Sequence, residues 1–401
     1  MIPMKTKFII PLCLVALIVS NAAPDSADRK PSRLVANEPV WDSNSGPWGN
    51  LEIHSLYIEA PNSMLEALPK PNSTPRWCFS LNEEPSLKVL FTKAKLPQEV
   101  QDRLLDPQRK LVQDDVLTLF PQLSDLLALT IEQRSIIYDE LAKSELNEFH
   151  AFPVYVLGGD VADWLREARL TDEQKKIVTK LIWHRGNAVV FSDVSALLNY
   201  SHSDAEVLQV FKLMTRMRTL IVNIKLPPGI DWKPLAHYWT AEHRMLETQP
   251  MLVSASERDS VTTLDITHLL PSLPRHLIYS YPSFELASRG RMPDCHWTSL
   301  NFFNTQPKNY YLDTRIAATN LKEHYNIVDP PYHFGDVLCI QTGEGVSHSC
   351  VYIADDIVYS KNGENAFRPW LFLWKKDVED IYLTDPNLHW QGYRFKPAST
   401  P

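Results

Sequence analysis

The stretch "HFGDVLCIQTGEGVSHSCVYIADDIVYSKNG", residues 333 to 363, limits the fold more than any other. Its apolar residues fall in three short runs: Val337, Leu338 and Ile340, then Val351, Tyr352 and Ile353, then Ile357, Val358 and Tyr359. β-branched and aromatic residues in runs of this length read as strands. "ADD" and "KNG" between and after them read as hairpin turns. Such turns are too short for a helical crossover, so the strands must run antiparallel. "HWQGYRFK", residues 389 to 396, offers a further strand. With a helix ahead of this meander, the C-terminal region is expected to be α+β.

Upstream, residues 96 to 250 carry a helical pattern with start signals. Thr171 with Gln174, Ser203 with Glu206 and Thr130 with Gln133 are spaced as capping boxes. Ile177, Val178, Leu181 and Ile182 form one apolar face, with Gly186 as its stop. Val207, Val210, Phe211, Met214 and Met217 form another, continuing toward "LPPG" at 226 to 229. Residues 23 to 95 are rich in Pro, Asn and Ser, with strand-like pieces such as "LEIHSLYIE". The expected organisation is a signal peptide over 1–22, a lead segment over 23–95, a mainly helical domain over 96–265 and an α+β module over 266–401.

The signal reading rests on Lys5 and Lys7 ahead of an apolar run from Phe8 to Val19, then small residues around Asn21. That run is shorter than the roughly 20 residues a membrane span needs, so a secreted or periplasmic protein without a stable membrane anchor is expected. Cleavage after Ala22 would take the formal charge from −8 to −10, which argues against a nucleic-acid partner. Cys78, Cys295, Cys339 and Cys350 would remain, too few for a disulfide-built scaffold. Cys339 and Cys350 could pair across adjacent strands or stay as buried thiols. No Cys-x-x-Cys pair suggests a metal, and no cofactor is expected.

"GRMPDCHWTSLNFFN", residues 290 to 304, places one cysteine where a helix should begin, after Pro293 and Asp294. A nucleophilic thiol needs its thiolate favoured, as at a helix N-terminus, and a histidine within reach as base. His348 begins the second predicted strand and supplies a candidate. The ordinary alternatives are a small buried hydrophobe at Cys295 and a structural histidine at 348. His296 adjoins the cysteine, but neighbouring helix positions diverge, so packing is its expected role rather than that of base. Trp-bearing "PLAHYWTAEH" and "FRPWLFLWKK" read as packing segments.

"DCHWTSLNFF" resembles the nucleophile segment of the NlpC/P60 cysteine peptidases, which typically reads Asp-Cys-Ser-Gly. "GDVLCIQTGEGVSHSCVYIADDIVYS" resembles their next block, with Gly335, Asp336, His348, Tyr352 and Ile353 in matching places. "YSYP" is similar to the family's Tyr-x-Tyr-Gly stretch, through Tyr279 or Tyr281. Covering about residues 275 to 395, the resemblance implies a papain-like module and a Cys-His-polar site acting on peptide or peptidoglycan-type amides. Cys295 would attack the carbonyl, and His348 would take the thiol proton and return it to the leaving amine. The third member would be Asn362, favoured for its amide oxygen, or Ser360, twelve residues after His348. The Cys295 amide with Tyr279 or Tyr281 would hold the oxyanion, and Asp294, His296 and Trp297 would lie about the substrate. His296-Trp297 replaces the family's Ser-Gly. That departure sustains an alternative, a non-catalytic binding or scaffold protein with a degenerate module.

Overall fold

The structure, a computed structural model, describes residues 31–35, 38–80, 84–241, 245–258, 260–283, 290–343, 345–383 and 387–396. The expected signal peptide lies outside them. The chain forms two compact units: residues 57–217 are one, and the segments on either side of them make the other. Both mix helices with antiparallel sheets, which makes the protein α+β.

In the unit of residues 57–217, the three predicted helix starts are present. Thr130 and Thr171 close full capping boxes with Gln133 and Gln174, and the Ser203 hydroxyl accepts from the Glu206 amide. The ends differ from the sequence reading. The helix Asp172–Leu181 stops five residues before Gly186, and Ile182–Arg185 pairs with Ala188–Phe191 as a hairpin. Gly186 turns it, with φ at +61°. Continuous apolar content hid the switch, since a period of 3.6 and a buried strand look alike over so few residues. A second small sheet joins Trp77–Ser80, Val116–Leu119 and Lys110–Gln113, so the region is less purely helical than expected.

The other unit holds the candidate site. Strands β1 (Arg33–Val35), β2 (Glu38–Asp42), β3 (Leu51–Ile58), β4 (Met217–Lys225) and β5 (Thr263–Asp265) form one sheet in that order. A second sheet holds β6 (Tyr325–Val328), β7 (Val337–Thr342), β8 (Gly345–Ala354), β9 (Ile357–Lys361), β10 (Trp370–Trp374) and β11 (His389–Phe395). Its order is β6-β11-β7-β8-β9-β10, antiparallel throughout. The helices α1 (Cys295–Leu300), α2 (Thr314–His324) and α3 (Lys375–Tyr382) belong to the same unit.

The expected boundary at residue 265 therefore falls inside this unit. The Arg218 guanidinium reaches the Asp377 carboxylate at 2.8 Å, the Thr219 hydroxyl donates to the Phe372 carbonyl at 2.9 Å, and Tyr238 donates to the Ile353 carbonyl at 2.6 Å. One hydrophobic core runs from Leu51, Ile53 and Val222 through Trp239 and Trp297 to Val351 and Phe372. The segment read as a packing stretch, "FRPWLFLWKK", contributes β10, buried along its whole length.

Two positions explain why the meander starts where it does. Gly335 has φ at +91°, and a Cβ there would sit 2.3 Å from the Phe303 ring. Asp336, buried, accepts from the His333 amide at 2.8 Å and from Arg394 at 2.7 and 2.9 Å, tying the start of β7 to β11. Replacing Gly335 with Ala combines a positive φ with a ring clash. It should lower unfolding free energy by about 2–4 kcal/mol in denaturant titration, through the overpacking and strain terms.

In the other unit, Asp193 is buried, accepts from the Tyr138 hydroxyl at 2.8 Å, and is raised to about 6 by burial. A carboxyl raised on folding binds protons more tightly in the folded state. Its ionisation therefore costs stability above about pH 6, and the cost fades as pH falls toward the unfolded value near 4. Asp193→Asn should raise stability at pH 7.5 by on the order of 2 kcal/mol. The gain over wild type should vanish near pH 4 in thermal melts.

Candidate active site

Six residues make α1, all of them buried. Asp294 caps it from extended backbone: its Oδ1 accepts from the Trp297 amide at 2.7 Å, and its carbonyl accepts from the Thr298 amide and hydroxyl at 3.0 and 2.7 Å. The indole N–H of Trp370 on β10 donates to the Thr298 hydroxyl at 3.0 Å, and that of Trp297 donates to Asn309 at 3.1 Å. Held on all sides, the turn fixes Cys295 as its first residue, with the side chain 6 % exposed.

His348 on β8 is fully buried. Its Nε2 lies 3.0 Å from the Ser360 hydroxyl on β9, and that hydroxyl donates to Asn362 Oδ1 at 3.3 Å. A hydroxyl has one proton. Spent on Asn362, it leaves the Ser360 oxygen to accept from the imidazole, so neutral His348 carries its proton on Nε2 and a lone pair on Nδ1. Nδ1 is buried and has no partner that meets hydrogen-bond geometry. The Tyr382 ring of α3 stacks on the imidazole at 4.1 Å and 16°. Ser360 thus touches the histidine, and Asn362, favoured from sequence, stands one step behind it. The reason is the length of β9, which ends at Lys361 and leaves Asn362 beyond the ladder.

Cys295 feels two imidazoles. Burial pushes its thiol up, but the charge and hydrogen bonding of His296 and then His348 outweigh that and hold it well below the ordinary thiol range. His296 is buried, with Nδ1 2.9 Å from the Ser349 hydroxyl on β8. Burial pulls its imidazole down, yet the neighbouring sulfur and then Asp294 raise it to about 9. The packing role expected for His296 is therefore incomplete. Successive helix positions diverge by about 100°, not 180°, and a ring anchored on Ser349 stays beside the first residue's sulfur. Burial and the adjacent Cys295 charge raise the Asp294 carboxyl as well.

The remaining sequence-read residues have other duties. The Tyr279 hydroxyl donates to the Leu220 carbonyl at 2.6 Å and is not offered to a ligand. Tyr281 is half-buried in the extended segment that follows. Trp297 sits in the core, ring to ring with Trp370 at 6.3 Å. Cys339 and Cys350 are free, as are Cys78 and Cys295. The register pairs Leu338 with Cys350 and Cys339 with Ser349, one residue out of step for a bridge. Two clefts, of about 620 and 400 Å³, are lined by residues around Gln249–Arg258 and around Gln108–Leu123, and Cys295 lines neither. Among the described residues no His, Cys, Asp and Glu cluster could hold a metal, and no helix is long and apolar enough to cross a membrane.

Sequence reasoning passed over Lys361. Its buried ammonium donates to the Gly363 and Asn365 carbonyls at 2.7 and 3.1 Å, and burial lowers it to about 7. From the loop so held, Glu364 accepts from the Met292 amide at 3.2 Å and pairs with Arg291 at 3.3 Å, just ahead of α1. The only hint was a lysine ending an otherwise apolar strand. No family model, curated protein or solved structure matches the chain.

Ser360→Ala would strand a buried imidazole N–H, while Asn362→Ala removes only the second acceptor. Denaturant titration should show Ser360→Ala costing about 1–3 kcal/mol and Asn362→Ala distinctly less.

Proposed function

We propose that the protein is an exported cysteine hydrolase cleaving an amide bond, its site lying in a papain-like module of NlpC/P60 type. The observation that carries the reading is the buried chain from His348 through Ser360 to Asn362, beside a thiol held below its ordinary range. The Cys295 sulfur would add to the substrate carbonyl. The C–N bond then breaks, and the proton given up by the thiol passes by way of an imidazole to the leaving nitrogen. Water hydrolyses the resulting thioester, with the His348 Nδ1 lone pair accepting its proton, and releases an acid and the thiol. The Cys295 backbone amide is the donor this reading assigns to the oxyanion. Peptidoglycan stem peptides are the substrate class this reading favours, and the N-terminal segment "MIPMKTKFIIPLCLVALIVSNAA" supports secretion.

One observation favours a second reading, a secreted binding or scaffold protein whose module has lost activity. Cys295 is only 6 % exposed, and bulky His296 and Trp297 follow it. Incubation with purified peptidoglycan separates the two. Release of new amino termini by wild type, lost at least 10³-fold in Cys295→Ala and in His348→Ala, supports the hydrolase. No release by any of the three, with folding intact, leaves the binding protein. A small alkylating reagent should also label Cys295 before Cys339 and Cys350, which burial holds above the ordinary thiol range.

A further inference from the structure

We infer that His296, anchored by Ser349, is the imidazole that holds the thiol's proton at rest, and that His348 serves the water step. The inference rests on the hydrolase reading for its place in a catalytic cycle, though the ion pair itself does not. Two neighbouring residues of β8 serve the two rings. Ser349 takes Nδ1 of His296 at 2.9 Å, and His348 turns Nε2 to Ser360 at 3.0 Å. Where Nδ1–H donates to the Ser349 hydroxyl, Nε2 of His296 keeps the lone pair that takes the proton. The Cys295 S–H bond breaks, an N–H bond forms on His296, and the pair becomes thiolate and imidazolium with no change in net charge.

Both rings are buried, but their surroundings differ in charge. His296 has Asp294 beside it, and the imidazole is raised to about 9. His348 faces the same sulfur, but its other neighbours are neutral, Ser360 and the stacked Tyr382. With the thiolate shared by both rings, the carboxylate beside His296 stabilises a buried cation there better than a hydroxyl and a phenol ring do at His348. The other charged or titratable groups acting on this cluster are Arg291 ahead of α1, Lys361 on β9, Cys339 on β7 and Cys350 on β8. In the cycle, His296 delivers its proton to the leaving nitrogen as the thioester forms. His348 then takes a proton from water through Nδ1, and that proton returns to His296 as the thiolate is released.

The test is the pH dependence of Cys295 alkylation by iodoacetamide in the full chain, with thiolate ultraviolet absorbance against Cys295→Ala as a second reading. In wild type the thiolate should persist well below the ordinary thiol range. In His296→Asn its midpoint should move up toward about 8.5, slowing alkylation at pH 6 by ~10- to 100-fold. Ser349→Ala, which keeps both rings, should shift it in the same direction by less. His348→Asn should keep the low-pH thiolate and lose amide turnover. Histidine NMR of wild type should show the His296 ring losing its proton near pH 9. A midpoint unmoved in both His296→Asn and Ser349→Ala, or moved further in His348→Asn, would overturn the assignment. Loss of the hydrolase reading looks different: a His296-dependent thiolate with no amide cleavage by wild type removes the activity and leaves the ion pair standing.

Discussion

The antiparallel pairing of β7 with β8 is the constraint on which the site depends. It places Ile340 opposite His348 and Cys339 opposite Ser349, and β9 then brings Ser360 to the imidazole. Strand β8 is central in its sheet, with β7 and β9 on its two sides, so its register is set from both edges. A slip of one residue would move every side chain to the other face and carry His348 away from Ser360. The Gly335 turn and the Asp336–Arg394 pair guard against that slip at the start of the meander.

Against this frame the six-residue α1 owes its order to contacts rather than to length. An isolated helix that short does not form in water. Here the Asp294 cap, the Trp370 indole on Thr298 and the Ser299 hydroxyl on the Cys295 carbonyl at 2.9 Å supply what length does not. The same capping carboxylate adds negative charge beside His296, so one side chain both starts the helix and biases the proton.

Much of this was legible in the chain because it is local. Capping boxes at Thr130 and Thr171 need only three residues of spacing, and the strands around 337–359 need only alternation and turns. What was hidden is non-local. The pairing of β3 with β4 joins residues on either side of a whole unit, so the expected boundary at 265 had no local signal. Register decided between Ser360 and Asn362, and no spacing rule separates a hydroxyl touching the imidazole from an amide one step behind. Likewise His296 was discounted on helical geometry, which is silent about an anchor on a distant strand such as Ser349. Tyr279 read as an oxyanion donor for the same reason, since its partner, the Leu220 carbonyl, lies on distant β4.

The interruption of one unit by residues 57–217 also has a consequence for biosynthesis. A chain that emerges N-terminus first delivers β1 to β3 long before β4, at about 5–20 residues per second. The early hairpin of β1 and β2 can form at once, but the inner edge of β3 stays open until the intervening unit has been made. An unpaired β-edge is a template for wrong partners. Loop-closure entropy grows only slowly with length, so the sheet bears the insertion of residues 57–217 at little more cost than a shorter loop. What the insertion costs is time, the interval in which β3 waits for β4 with one edge bare.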